Sequence, residues 1–558
     1  MKISAMKTKD STRTKKIFEY AAVVLSGCIF VLLAASWTSP LFRYAYGYDS
    51  SWYSLMGRAI TRGYVPYRDY FDLKGPVFFM MEAIGQFLLT GRGGIVLIEC
   101  IAAGSSALIL WKTARLRLGP KKSAAVLGCF YFVYFFLLWG GNTCEELMMP
   151  FNLGCIYLAL KYIGALPEEP ERAPAKESEP APTDAPATAD APATADVPAA
   201  ADAPATTDAP ATTDTPEAAD APAATELDPY QNYGTAAFLF GVSFAVIVLS
   251  KITVAAPMGA AAITVAVELI RRKRAKLLFP ILGLFLLGAA FVAVPVCAYF
   301  AMNHAFGRFI YCTFAFAFKR STDYYEAFSL DWEKNLLICY VVFLFSLFLK
   351  PASLKEKHRK DILVFGSLFT FFALHLGTPY TYYFITELPL FVLFLIEFFS
   401  MMEDVAGGKA SVKRLVWTEA GVMAVLLFYW TPVMDKINEN YCLCRYPNSS
   451  YYEGTMEVWS FIPEDERDEV YDLESGMIFY EMLGVLPTNP YPVNLPYFLH
   501  LDPRIKEEVM EYLKIKRPKW IISEDMESFD DEDVKEYVFS HYELFLDSNA
   551  EELYERIE

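Results

Sequence analysis

The chain has 558 residues, 54% of them hydrophobic and 16% aromatic, with a formal net charge of −17. So apolar a composition excludes a soluble globular protein of this length and points to a polytopic membrane protein, and the acidic balance excludes a nucleic-acid partner. The charge is concentrated at one end: about thirty Asp and Glu against about eleven Lys and Arg follow Met434, and the rest is close to neutral. Six of the ten cysteines (Cys28, Cys100, Cys129, Cys155, Cys297 and Cys339) fall in apolar runs as small hydrophobes, and no disulfide framework or zinc spacing emerges.

In chain order, Lys2, Lys7, Lys9, Arg13, Lys15 and Lys16 precede an apolar run at 17–37. The positive-inside rule keeps this N-terminus cytoplasmic. The run is long enough to cross and no small-residue cleavage site follows, so it reads as an uncleaved first span. The loop at 38–94 then faces outward. Within it, 50–60 carries Trp52, Leu55, Met56 and Ile60 at helical spacing, and 77–89 is a short apolar run; both read as helices lying in the membrane interface.

Further spans are expected at 95–111, 124–139 and 147–163, with Lys112, Arg115, Arg117, Lys121 and Lys122 on the inner side. An insertion at 167–228 follows, built on a six-residue repeat in which Asp184, Asp190, Asp196, Asp202, Asp208 and Asp214 keep register with prolines. With no large apolar side chain in the repeats to bury, it reads as a disordered cytoplasmic linker. Spans at 236–249 and 254–269 form a hairpin with Lys251 at its outer turn. The run 277–300 leads to an outer loop at 301–334, and 336–349, 362–376, 384–401 and 415–430 complete about eleven spans, the inner loops being rich in Lys and Arg. From 435 the pattern becomes soluble: strands at 469–473, 519–523 and 542–546 alternate with helices at 504–514 and 531–539. The predicted organisation is a membrane module at 1–166, the linker at 167–228, a second membrane module at 229–434 and a small extracytoplasmic α/β domain at 435–558.

Chemistry concentrates in the first outer loop, which gathers Asp49, Arg58, Arg62, Arg68, Asp69, Asp72 and Lys74 among aromatics. Lys74 precedes Gly75-Pro76 at a helix start, so its ammonium and the helix N-terminus address the same anion. Transfer from a lipid phosphate needs such a cation for the departing phosphate and a carboxylate, Asp49, for the proton of the incoming hydroxyl. In the second outer loop Arg308, Lys319 and Arg320 either close over the donor phosphate or act as interfacial anchors. Glu145 and Glu146 precede a span, where one faces the cavity or both are helix-start acids. His304 and His375 are single histidines with no second ligand at fixed spacing, and Tyr380, Tyr382 and Tyr383 read as an interfacial belt.

The succession Asp49, Tyr53, Arg58-Ala59, Gly63, Val65-Pro66-Tyr67-Arg68-Asp69, Asp72 and Lys74-Gly75-Pro76 resembles the first outer loop of the GT-C glycosyltransferases. The similar branch contains protein O-mannosyltransferases, lipid A aminoarabinose transferases and family 39-like bacterial proteins. Asn142 to Glu146, the stretch at 377–389, Pro518 to Ile522 and Glu552 to Arg556 extend the resemblance over the chain apart from the repeat linker. It implies Asp49 as catalytic base and Lys74 as a phosphate contact, and it places Asp72 near a position that can hold a divalent cation; Glu145 and Glu146 are further candidates for a metal or acceptor contact. Here Asp72-Leu73-Lys74-Gly75-Pro76 stands where the aminoarabinose branch has an acid directly before Lys and two prolines.

The expected activity is transfer of a sugar from a polyprenyl-phosphate donor to a lipid, glycan or protein acceptor on the outer face, with inversion, in a multi-pass plasma-membrane protein. The rival is a transporter or flippase for a lipid-linked glycan, for which paired halves and mid-membrane charges are expected. A third reading makes the acidic tail a partner-binding scaffold on a membrane anchor.

Overall fold

The computed structural model describes residues 2–165, 229–319, 337–348, 357–375, 380–408, 412–474, 476–492, 495–548 and 551–557. The repeat linker and Arg320 lie outside the described residues. The chain opens with α1 (Lys2–Ala34), followed in the first loop by α2 (Tyr48–Thr61) and α3 (Pro76–Leu88). Then come α4 (Arg92–Ala114), α5 (Pro120–Leu137), α6 (Cys144–Ala165), α7 (Pro229–Val248), α8 (Ala256–Arg271), α9 (Leu278–Met302) and the short α10 (Phe306–Ile310). The bundle closes with α11 (Leu337–Phe348), α12 (Lys357–Leu374), α13 (Leu388–Ala406) and α14 (Val412–Arg445). Among the described residues, six helical stretches are long and apolar enough to cross a membrane. They correspond to α1, α4, α8, α9, α13 and α14, and shorter apolar helices accompany them.

Apolar side chains on every face let these helices pack, and small residues set how closely. A Cβ on Gly241 of α7 would lie 1.9 Å from the Phe285 carbonyl oxygen of α9, and one on Gly288 would lie 2.0 Å from the Phe238 carbonyl oxygen. The backbones therefore touch, as small residues permit in apolar bundles. Ion pairs gather helix ends that the sequence assigns to one side. Lys122 at the start of α5 meets Glu403 near the end of α13 at 2.8 Å, and Arg271 at the end of α8 meets Asp361 near the start of α12 at 2.5 Å.

Helix α14 runs four turns beyond the span expected at 415–430 and crosses the boundary at 434/435. Its last turns are polar, which hides them from a hydropathy reading, and they carry Cys442 and Cys444 as exposed free thiols. After α15 (Ser450–Phe461), the C-terminal unit builds β1 (Val470–Asp472), α16 (Gly476–Leu483), α17 (Leu495–Leu501), α18 (Pro503–Lys516), β2 (Trp520–Ser523), α19 (Glu532–His541), β3 (Tyr542–Asp547) and β4 (Glu552–Arg556). The sheet order is β1-β2-β4-β3, with β1 and β2 parallel and the other pairs antiparallel. Asp502 and Asp531 cap α18 and α19 by accepting from backbone N–H groups of the first turn. Strands at 469–473, 519–523 and 542–546 were expected. The fourth, β4, is short, with Leu553 and Tyr554 buried between charged residues, and it fills the place between β2 and β3.

Candidate functional site

The first loop folds back because Asp72 organises its return. Its Oδ2 accepts from Trp52 Nε1 of α2 at 2.6 Å and its Oδ1 from the Lys74 backbone N–H at 2.5 Å. Asp72 is buried, and burial pushes its carboxyl above the usual range against the opposing pull of Lys74 and these N–H donors. Tyr67, in a left-handed conformation (φ 66°), donates from its hydroxyl to the Lys74 carbonyl at 2.6 Å. The next residue, Gly75, is bound through its N–H to the Ser250 carbonyl at 2.8 Å, and Val77 N–H reaches the Leu249 carbonyl at 3.1 Å. The Lys-Gly-Pro segment thus docks on the turn between α7 and α8.

That docking brings distant residues together. Asp49 is exposed in the first turn of α2, where N–H groups favour negative charge, and its Oδ2 accepts from the Tyr53 hydroxyl at 3.0 Å and the Tyr382 hydroxyl at 3.3 Å. The buried Lys74 ammonium lies 5.3 Å from the Tyr53 ring centre. On the other side Lys251 contacts Glu145 Oε1 at 2.5 Å and lies 3.4 Å from the Tyr383 ring centre. Each lysine therefore lies beside the ring of a tyrosine whose hydroxyl binds Asp49, Lys74 by Tyr53 and Lys251 within 5.8 Å of the Tyr382 ring centre. Tyr382 is buried and binds Asp49, so it belongs to the site and not to an interfacial belt. Lys251 is also a site residue that its place in a short apolar hairpin gave no reason to select.

The acidic turn resolves into two roles. Thr143 and Glu146 form a capping box at the start of α6, Glu146 N–H donating to Thr143 Oγ1 at 3.3 Å and Thr143 N–H to Glu146 Oε2 at 3.5 Å. Glu146 is thus a helix-start acid, whereas Glu145 faces Lys251. The turn is pinned by Glu99 of α4, which accepts from Thr38 Oγ1 at 2.6 Å and from Asn142 N–H at 2.5 Å. A glutamate in an apolar span is a sequence signal for such a role.

Arg308 is bound to Glu508 of α18 at 2.6 Å, and Tyr491 also donates to Glu508, so the structure places this guanidinium against the C-terminal unit. His304 is exposed, and His375 contacts the Phe371 carbonyl. Both Asp72 oxygens accept from N–H donors, and the described residues contain no group of three or more His, Cys, Asp or Glu arranged to hold a metal. An apolar cavity of about 400 Å³ lined by Tyr162, Tyr233, Phe240, Val265 and Phe285 lies toward the opposite end of α6 and has no Asp, Glu, His, Lys or Arg in its wall.

The C-terminal unit sits directly on the first loop. Glu481 of α16 accepts from Ser54 Oγ at 2.9 Å and from Arg58 Nη2 at 2.8 Å, and Phe71 N–H reaches the Pro490 carbonyl at 2.8 Å. Burial pushes the Glu481 carboxyl from 4.5 up to about 7 against the pull of Arg58 and Ser54. A carboxyl whose folded value is raised contributes stability in its protonated form, lost as pH rises through about 7. The thermal midpoint is expected to fall as pH rises from about 4.5 to about 7, and Glu481→Gln, neutral throughout, to make that fall shallower. An unchanged slope in Glu481→Gln would refute the assignment.

Residues 8–169 match the family model described as the competence-induced protein Ccs4 N-terminal domain, which covers less than half of the chain. No curated protein matches. The solved structures of ArnT from Cupriavidus metallidurans, bound to undecaprenyl phosphate and in the apo state, each align over 97% of this chain and 98% of theirs, with a TM-score of 0.54 and 11% identity. This chain shares its overall fold with these structures. At this identity the likeness concerns the fold alone.

Proposed function

We propose that this protein is a membrane glycosyltransferase that takes a sugar from a polyprenyl-phosphate donor and attaches it to an acceptor hydroxyl on the outer face of the membrane. The observation that carries the reading is the juxtaposition of Asp49, held by two tyrosine hydroxyls, with the buried Lys74 ammonium, in a fold shared with an ArnT bound to undecaprenyl phosphate. Asp49 takes the proton of the acceptor hydroxyl as its oxygen attacks the anomeric carbon. The bond from that carbon to the phosphate oxygen breaks, its electron pair leaves with the polyprenyl phosphate, and Lys74 meets the added negative charge. One displacement inverts the anomeric centre. Asp72 shapes the loop through Trp52 and Lys74 and takes no part in proton transfer.

The orientation belongs to the same reading. The helix ends joined by Lys122–Glu403 and Arg271–Asp361 carry the basic loops and are cytoplasmic by the positive-inside rule, which leaves the site outside. The count of about eleven spans adds α5, α6, α7, α11 and α12 to the six longest and most apolar. The exposed Ile84, Phe87 and Leu88 of α3 suit a helix resting in the interface.

The test is reconstitution in nanodiscs with undecaprenyl-phosphate sugars and extracted envelope lipids and glycans, read by mass spectrometry. A new glycoconjugate together with release of undecaprenyl phosphate is the expected result. Movement of the intact donor across a vesicle membrane with no transfer would establish the transporter alternative.

A further inference from the structure

Lys251 has a role that the loop motif does not contain. Its backbone belongs to the turn on which Gly75 and Val77 dock, so Lys74 and Lys251 are fixed to hydrogen-bonded segments rather than to independently moving loops. Lys74 stands over Tyr53 and Lys251 over Tyr383, with its ammonium 5.8 Å from the Tyr382 ring centre. Tyr53 and Tyr382 are the two residues whose hydroxyls bind Asp49. Both cations are therefore in contact with the tyrosine group that holds the Asp49 carboxylate.

An ammonium has three N–H donors. Glu145 Oε1 takes one from Lys251, and the side chain is still 17% exposed, on a part-buried aromatic wall where a charge-assisted contact is strong. The departing lipid phosphate gains a negative charge as the sugar leaves, and Lys74 already shares its field with the buried Asp72. A second cation within the same aromatic group answers that need, whereas Arg308 faces Glu508 of the C-terminal unit.

We propose that Lys251 is a second contact for the lipid-linked phosphate, working with Lys74, with Glu145 aiming its ammonium across the tyrosines. This rests on the function proposed above. The ligand class is a phosphate monoester or diester on a long isoprenoid chain, recognised at the phosphate and not through the chain.

The experiment measures binding of undecaprenyl phosphate and of uncharged undecaprenol to the purified full chain in nanodiscs by microscale thermophoresis. Lys251→Met alone would leave Glu145 as an unpaired buried carboxylate, so the decisive comparison is Glu145→Gln against Glu145→Gln/Lys251→Met, with thermal midpoints confirming that both fold. Undecaprenyl phosphate is expected to bind the double variant roughly tenfold more weakly than the single variant, with undecaprenol binding equal in the two. Equal phosphate affinity in the two variants, with Lys74→Met impaired, would overturn the role of Lys251 and leave the proposed function standing. A wild-type protein that binds undecaprenol as tightly as undecaprenyl phosphate would overturn both.

Discussion

Asp49→Asn is expected to lower sugar transfer by roughly 10²- to 10⁴-fold, the range for loss of a positioned general base, while leaving the thermal midpoint near that of the wild type. The asymmetry follows from the surroundings. Asp49 is exposed, so the substitution opens no cavity, and an Asn carbonyl accepts from the Tyr53 and Tyr382 hydroxyls as the carboxylate does at 3.0 and 3.3 Å. What the amide cannot do is accept a proton from an incoming hydroxyl. Binding of undecaprenyl phosphate should persist, since the lysines are untouched, which separates a chemical defect from a binding defect. Single-turnover transfer in nanodiscs gives the rate directly. A rate within about threefold of wild type would remove Asp49 from the reaction.

How much of this site can be read in the sequence depends on how local each signal is. Helix α2 was expected at 50–60 and runs Tyr48–Thr61; α3 was expected at 77–89 and runs Pro76–Leu88, because apolar spacing and a proline at the helix start are local properties. The helix starting beside Lys74 was legible for the same reason. Lys251 and Glu145 are 106 residues apart, Tyr382 and Asp49 are 333 apart, and Glu481 and Arg58 are 423 apart. No periodicity encodes such pairs; they arise when the bundle closes and the C-terminal unit settles on the first loop. The capping box of Thr143 and Glu146 had a local signature and still left Glu145 open, since only the Lys251 contact decides which way that side chain turns. Asp72 shows the converse. Its spacing beside Lys74 invites a metal or substrate role, and no local pattern announces the two N–H donors through which it braces the loop.

Gly75→Ala should be nearly as damaging as loss of the base, by a wholly different route. Gly75 has φ −74° and ψ 154°, a conformation open to any residue, so backbone strain is not the obstacle. The obstacle is space. A Cβ there would lie 2.1 Å from the Leu249 carbonyl oxygen, 2.4 Å from its carbonyl carbon and 2.8 Å from the Ser250 nitrogen, all backbone atoms that no rotamer change can move. Relief requires the loop to lift from the turn between α7 and α8, lengthening the Gly75–Ser250 and Val77–Leu249 hydrogen bonds of 2.8 and 3.1 Å. The expected cost is about 2–4 kcal/mol of stability, from steric strain and two weakened buried hydrogen bonds. The same displacement carries Lys74 away from Asp49 and Lys251, and a shift of about 1 Å at a reacting centre lowers rates on the order of 100-fold. Gly259→Ala in α8, where a Cβ meets nothing within 4 Å, provides the control for the glycine-to-alanine change itself and should be neutral or slightly stabilising. Thermal midpoints and single-turnover rates for the two variants test the docking directly. A Gly75→Ala protein with wild-type stability and rate would mean that the first loop does not need the α7–α8 turn to hold its lysine in place.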